Sequence, residues 1–184
     1  VGVQQRPGLR RPAVAGLARL VDTRGPRMHV LGNFEVLGTA GGVSVERALT
    51  PEQVQDTLNG LAHLLMGGNA DFKEVQYEAR FANRIDSLDA EQRMDAVRKL
   101  MFFAPYDHRL GAMAKYPPLM HIVEKILGER AKMFQDMALL KPPHGGRGKP
   151  WHQDKAYFDL PLETKVVGVW IALDEATAEN GCMH

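Results

Sequence analysis

Two side chains with metal-binding chemistry stand two residues apart in the run Pro150-Trp151-His152-Gln153-Asp154-Lys155-Ala156-Tyr157-Phe158. On an extended strand, positions i and i+2 project to one face with their Cα atoms roughly 6.5–7 Å apart. Two ligands with bonds of about 2 Å then reach one ion from that face. One imidazole and one carboxylate, completed by a second imidazole from elsewhere, make the facial triad of non-haem Fe(II) oxygenases. Such a triad leaves three coordination positions open for cosubstrate and O2. The His-x-Asp spacing is common, however, and equally describes an exposed strand with two solvated side chains. The surrounding elements separate these readings.

The loop Lys141-Pro142-Pro143-His144-Gly145-Gly146-Arg147-Gly148-Lys149-Pro150 delivers the chain to Trp151. On either side, Lys132–Leu140 and Lys165–Leu173 read as strands. The second, KVVGVWIAL, is a nearly continuous apolar run suited to a buried position. Asn180-Gly181 is a hairpin turn signal. Upstream, Thr50-Pro51-Glu52-Gln53 announces a helix with a capping box, and Val54, Leu58, Leu61 and Leu65 give it an apolar stripe that Gly67-Gly68 stops. A second helix is predicted from Asp89 to about Phe103, with Met94, Val97 and Met101 on one face and Pro105 as its end. A third starts at Pro117 or Pro118, turns Leu119, Ile122, Val123 and Ile126 inward, and ends at Gly128. The loop between these two holds Asp107 and His108, read as a solvated turn. One further strand is predicted at Asn33–Leu37. Helices first and antiparallel strands second make an α+β protein whose barrel or sandwich is partly present.

Composition narrows the partners. The 184 residues are 45% hydrophobic and 24% charged with a net charge of +1, so nothing suggests a nucleic-acid partner. Charge is uneven: residues 1–31 carry six Arg, no Lys and one acid, a net of +5, whereas residues 32–184 carry 17 basic and 21 acidic residues, a net of −4. Residues 1–31 are read as a disordered or non-native Arg-rich arm; they lack the Ser of an organelle transit peptide and do not begin with Met. No run approaches the roughly 18 apolar residues of a membrane span. The single Cys182 excludes an internal disulfide and fits a reducing compartment, giving a cytoplasmic expectation. Oligomeric state is not written in the pattern.

The stretch from Asp107 to His184 resembles the phytanoyl-CoA dioxygenase family of Fe(II)/2-oxoglutarate-dependent oxygenases. The residues that carry the resemblance are LLKPPHGGRGKPWHQDKAYF and VVGVWIALDEATAENGCMH, in order and at the right spacing. It implies a double-stranded β-helix, the jelly-roll or cupin-like barrel, with flanking helices, occupying residues 32–184 and incomplete in this chain. It implies His152 and Asp154 as iron ligands, with Gln153 and Trp170 beside 2-oxoglutarate and Gln135 facing cosubstrate or substrate. Tyr157 and Phe158 stand at the pocket mouth or in an aromatic core, and Trp170 also fits a core position. Lys141 is read as drawing an anionic cosubstrate or as a solvated residue before Pro-Pro, and Arg147 and Lys149 flank the same entry. His144 is read as exposed. The implied reaction couples decarboxylation of 2-oxoglutarate by O2 to succinate and CO2 with hydroxylation of a small organic or lipid-like, acyl-CoA-type substrate.

Family members place their second iron-binding His, and an Arg that pairs with the far carboxylate of 2-oxoglutarate, beyond the position of His184. His184 itself comes too early in its strand to be that ligand. Val1 and the closing Glu179-Asn180-Gly181-Cys182-Met183-His184 accordingly predict the N-terminal part of a longer dioxygenase. Two other readings fit the residues: a zinc- or manganese-dependent enzyme on the same barrel, and a catalytically inactive relic acting as a binding protein.

Overall fold

The capping box at Thr50 forms as the sequence requires. In the computed structural model, which describes residues 13–16, 34–38, 41–141, 150, 152–161 and 163–179, the Thr50 hydroxyl accepts from the Gln53 N–H and the Gln53 side chain accepts from the Thr50 N–H. Helix α1 (Pro51–Leu65) follows and buries Val54, Leu61 and Leu64. Gly67, at φ +77, turns the chain away from its end. Three more helices are α2 (Ala90–Ala96), α3 (His108–Ala114) and α4 (Pro117–Leu127). Helix α4 starts on Pro-Pro and closes on Gly128 in the left-handed conformation.

The strands are β1 (Ala13–Gly16), β2 (Phe34–Gly38), β3 (Gly41–Val45), β4 (Val75–Tyr77), β5 (Val97–Met101), β6 (Met137–Lys141) and β7 (Gly168–Ala172). They pair antiparallel throughout into one open sheet of order β3-β2-β7-β1-β6-β5-β4. The chain is thus a mixed helix-and-strand protein with an open antiparallel sheet. One face of that sheet carries the core, where Val97 and Leu100 of β5, Ala138 and Leu140 of β6 and Ile171 of β7 join Leu61, Leu110, Leu119 and Val123 from the helices.

Two sequence expectations are corrected. The predicted helix over Asp89–Phe103 stops at Ala96, and Val97–Met101 is a strand between β4 and β6. The register explains the misreading. Gln76 faces Lys99 while Tyr77 faces Val97, so Arg98 is the extra residue of a β-bulge. The bulge resets the alternation and lets Val97 and Leu100, three apart, both enter the core fully buried. The helical stripe expected of Met94, Val97 and Met101 is therefore not the buried set, and Met101 stays half-buried. The loop expected around Asp107 and His108 is the second correction: a 3-10 turn (Ala104–Tyr106) leads into α3, and Asp107 is its buried N-cap.

Candidate metal centre

His152 and Asp154 do not lie on a strand. The backbone is extended at Gln153 (φ −106, ψ 119) and then enters a 3-10 turn over Asp154–Tyr157. The turn draws the Asp154 carboxylate back toward the preceding imidazole, so His152 Nε2 and Asp154 Oδ1 stand 3.1 Å apart. Their side chains are 13% and 24% exposed. On the other side of the ring, Nδ1 lies 2.8 Å from the Pro150 carbonyl oxygen. A carbonyl only accepts, so Nδ1 carries the hydrogen and donates it. At Nε2 the ring meets the Asp154 oxygen, where a hydrogen on Nε2 or a cation would bridge the two atoms.

The same turn places Tyr157 edge-on to the His152 ring, centroids 5.9 Å apart, and Phe158 edge-to-face with Phe134 at 4.9 Å. Lys155 donates to the Thr164 carbonyl oxygen at 2.9 Å, tying the turn to the segment that leads into β7. Gln153 projects at the surface and Gln135 is half-buried just ahead of β6.

Trp170 is 3% exposed and packs with Ala172 and Ala176 in a cluster of its own, on the sheet face turned away from the helices. Strand alternation puts Lys141 and Leu139 of β6 on that face, because Ala138 and Leu140 take the core side. Lys99 of β5 faces Leu139 across the ladder and so shares the face with Lys141. Sequence reasoning missed Lys99 by assigning its segment to a helix; the β-branched Val97 and the apolar Leu100 flanking charged residues were the available strand signal. The structure therefore gathers the candidates into two groups. His152, Asp154 and Tyr157 surround the turn, and Lys141, Trp170 and Lys99 lie on one sheet face. Trp151, His144, Arg147, Lys149, Asn180-Gly181, Cys182 and His184 fall outside the described residues. Among the described residues, no group of three or more His, Cys, Asp or Glu side chains is placed to hold a metal ion.

Three buried carboxylates lie elsewhere, Glu78, Asp107 and Asp136, and the last two cap or fix turns. Asp107 accepts from the Arg109 guanidinium at 2.7 and 3.0 Å, from the Arg109 backbone N–H at 2.9 Å, and from His63 Nδ1 at 3.0 Å. The Arg109 guanidinium holds this carboxyl well below the usual carboxylate range, against the opposing effect of burial. Asp136 accepts from the N–H groups of Phe103 and Ala104 at 2.7 and 3.1 Å, and burial pushes its carboxyl up despite those bonds. It fixes the turn that follows β5, where Phe102 sits at φ +54.

Comparison with known proteins gives the family. The family described as Phytanoyl-CoA dioxygenase (PhyH) matches residues 38–184. The L-proline trans-4-hydroxylase of Streptomyces griseoviridis is 30% identical over 113 residues, covering 55% of this chain and 42% of its own length. Phytanoyl-CoA dioxygenase domain-containing protein 1 of Bos taurus is 41% identical over 51 residues, 28% of this chain and 18% of its own. The peroxisomal phytanoyl-CoA dioxygenase of Homo sapiens is 29% identical over 80 residues, 42% and 24% respectively. The chain thus spans less than half the length of these curated relatives. No solved structure matches it significantly. No helix among the described residues is long and apolar enough to cross a membrane. With the match running through most of its length, the chain belongs to the phytanoyl-CoA dioxygenase family.

Proposed function

We propose that the intact protein is an Fe(II)- and 2-oxoglutarate-dependent oxygenase. It hydroxylates a small organic or lipid-like substrate, gives succinate and CO2 as coproducts, and is built on a double-stranded β-helix. The observation that carries this reading is the 3.1 Å separation of His152 Nε2 and Asp154 Oδ1. Donors in adjacent corners of an octahedral site, with bonds of about 2.1 Å, stand about 3.0 Å apart. With Nε2 deprotonated, the two lone pairs would converge on a divalent cation, and the Pro150 carbonyl favours the tautomer that exposes Nε2, as outer partners of metal-bound imidazoles do.

When bound, iron with 2-oxoglutarate and O2 supplies the oxidising power. The chain's own residues bind and orient. Lys99 and Lys141 place positive charge on one sheet face, which would draw an anionic cosubstrate toward the site, the Arg that pairs with its far carboxylate in the family lying beyond His184. Trp170, buried on that face, is a rigid apolar wall that keeps water from the cosubstrate. Gln135 and Gln153 would supply neutral hydrogen-bonding groups, and Tyr157 lies against the His152 ring. Support for this assignment comes from the donor geometry and from the L-proline trans-4-hydroxylase and phytanoyl-CoA dioxygenase named among the relatives.

The test is anaerobic loading of the full-length protein with Fe(II) and 2-oxoglutarate, followed by O2 and measurement of succinate. Succinate formed only with all three, and lost in His152→Ala, supports the reading. Turnover of any substrate with Zn(II) or Mn(II) in the absence of O2 and 2-oxoglutarate overturns it in favour of a metal-dependent enzyme of another class.

A further inference from the structure

Three consecutive backbone N–H groups converge on one buried residue. Asp136 stands directly before β6 and is 3% exposed. Its own carbonyl oxygen accepts from the Phe102 N–H at 3.2 Å, and its two carboxylate oxygens accept from Phe103 at 2.7 Å and Ala104 at 3.1 Å. Phe102 is left-handed at φ +54 and Phe103 right-handed at φ −88, ψ −20. Successive residues of opposite hand turn their N–H groups to one side and cup an anion. Here that anion is the Asp136 side chain. A phenylalanine seldom adopts positive φ, and it persists where its surroundings over-determine it.

The residue just ahead of this anchor is Gln135. From 130 to 136 the chain runs without helix or strand, so no ladder fixes it. Asp136 holds it on one side, and on the other Phe134 lies edge-to-face on Phe158. Ala138 and Leu140 of β6 take the core side, and Asp136 shares their parity and their burial. Alternation carried back from β6 therefore puts Gln135 with Leu139 and Lys141, on the sheet face of Trp170. Its amide is half-buried and meets no hydrogen-bond partner among the described residues. We infer that Asp136 is a positioning residue, whose carboxylate, seated in the 102–104 cup, aims the Gln135 amide at the cosubstrate on that face. The inference rests on the proposed function and adds to it a group that touches neither metal nor cosubstrate.

The test titrates 2-oxoglutarate into the Mn(II)-loaded full-length protein by isothermal titration calorimetry. Gln135→Ala should weaken binding about three- to tenfold, the worth of one hydrogen bond. Asp136→Asn turns an NH2 toward one N–H of the cup and should weaken binding by about threefold or more. Added to Gln135→Ala, it should weaken binding no further. Phe102 enters the cup from the other side and is 43% exposed, so its variants keep the fold even where Asp136→Asn does not. Phe102→Gly accepts the positive φ and should keep wild-type affinity, whereas the β-branched Phe102→Val opposes it and should match Asp136→Asn. Mn(II) affinity, followed by electron paramagnetic resonance, should stay at the wild-type value throughout, which a general loss of structure would not allow. Wild-type 2-oxoglutarate affinity in Asp136→Asn or Phe102→Val, a further loss in the double variant, or an equal loss of Mn(II) affinity overturns the inference. Failure of 2-oxoglutarate to bind the Mn(II)-loaded wild type overturns the proposed function, and this inference with it.

Discussion

Removing either donor of the His152–Asp154 pair tests the metal assignment most directly. At a separation of 3.1 Å, two bonds of about 2.1 Å subtend about 95° at the ion. A tetrahedral ion with the same bonds would spread the donors to about 3.4 Å, so the proposed site is expected to take an octahedral ion such as Fe(II), Mn(II) or Co(II). Loss of an outer-sphere partner alone costs about 10–100-fold in metal affinity. Loss of a direct ligand in His152→Ala or Asp154→Ala is therefore expected to weaken Mn(II) binding at least about 100-fold, or about 2.7 kcal/mol. Asp154→Asn keeps one carbonyl oxygen but no charge, and should fall between wild type and Asp154→Ala. Mn(II) titration followed by electron paramagnetic resonance reads the affinity, and Co(II) substitution reads the geometry through the weak visible absorption of an octahedral centre. Equal Mn(II) binding in wild type and both alanine variants, or an intense tetrahedral Co(II) spectrum, would refute the reasoning.

Other expectations concern the scaffold. Asp107→Ala removes the N-cap of α3, the Arg109 pair and the His63 bond, and should lower stability by about 2–4 kcal/mol in urea unfolding. Because Asp107 is held below the ordinary carboxylate range, its contribution is fully present above pH about 4 and lost only below it. A wild-type advantage already shrinking between pH 7 and 5 would contradict this. Asp136→Asn leaves one of the Phe103 and Ala104 N–H groups facing an amide NH2, costing about 2 kcal/mol. With the Asp136 carboxyl raised by burial, the wild type gains on the variant as pH falls from neutral toward about 4, and a gap that narrows instead would refute the sign. An added Cβ at Gly68 would stand 2.1 Å from the His63 ring, so Gly68→Ala should displace that ring from Asp107 and cost about 1 kcal/mol. In a His63→Ala background the same change should cost nearly nothing, and an equal cost in both backgrounds would place the strain elsewhere.

What the sequence made legible was local. The Thr50 capping box, the stripe of α1, the Pro-Pro start and Gly128 end of α4, and the strands ending at Lys141 and Ala172 depend on residues within a turn or two of one another. What it hid depended on partners far along the chain. Asp107 reads as a loop acid until His63, 44 residues earlier, and the start of α3 are brought to it. Met94, Val97 and Met101 read as one helix face until β4 arrives to pair with a bulged strand, which buries Val97 and Leu100 and leaves Met101 half-buried.

The His-Gln-Asp run shows the same limit from the opposite side. Strand alternation was the expected means of bringing the two ligands to one face, yet a strand leaves Cα atoms roughly 6.5–7 Å apart and both side chains pointing outward in parallel. The 3-10 turn at Asp154 tilts the carboxylate back, so the donors themselves converge to 3.1 Å. It also carries Tyr157 round to the imidazole and directs Phe158 to Phe134. One short turn thus brings the two donors together and sets where Tyr157 and Phe158 pack. Lengthening it by one residue, for example by inserting Ala after Lys155, should leave Asp154 against His152 and Mn(II) affinity within about threefold, while swinging Tyr157 off the ring by about 120° at three residues per turn. The His152–Tyr157 ring contact should then be lost, read as a shift of the His152 ring-proton NMR signals in the metal-free protein, although metal still binds. Joint loss of both would mean that metal binding and the ring contact are not separable functions of the turn.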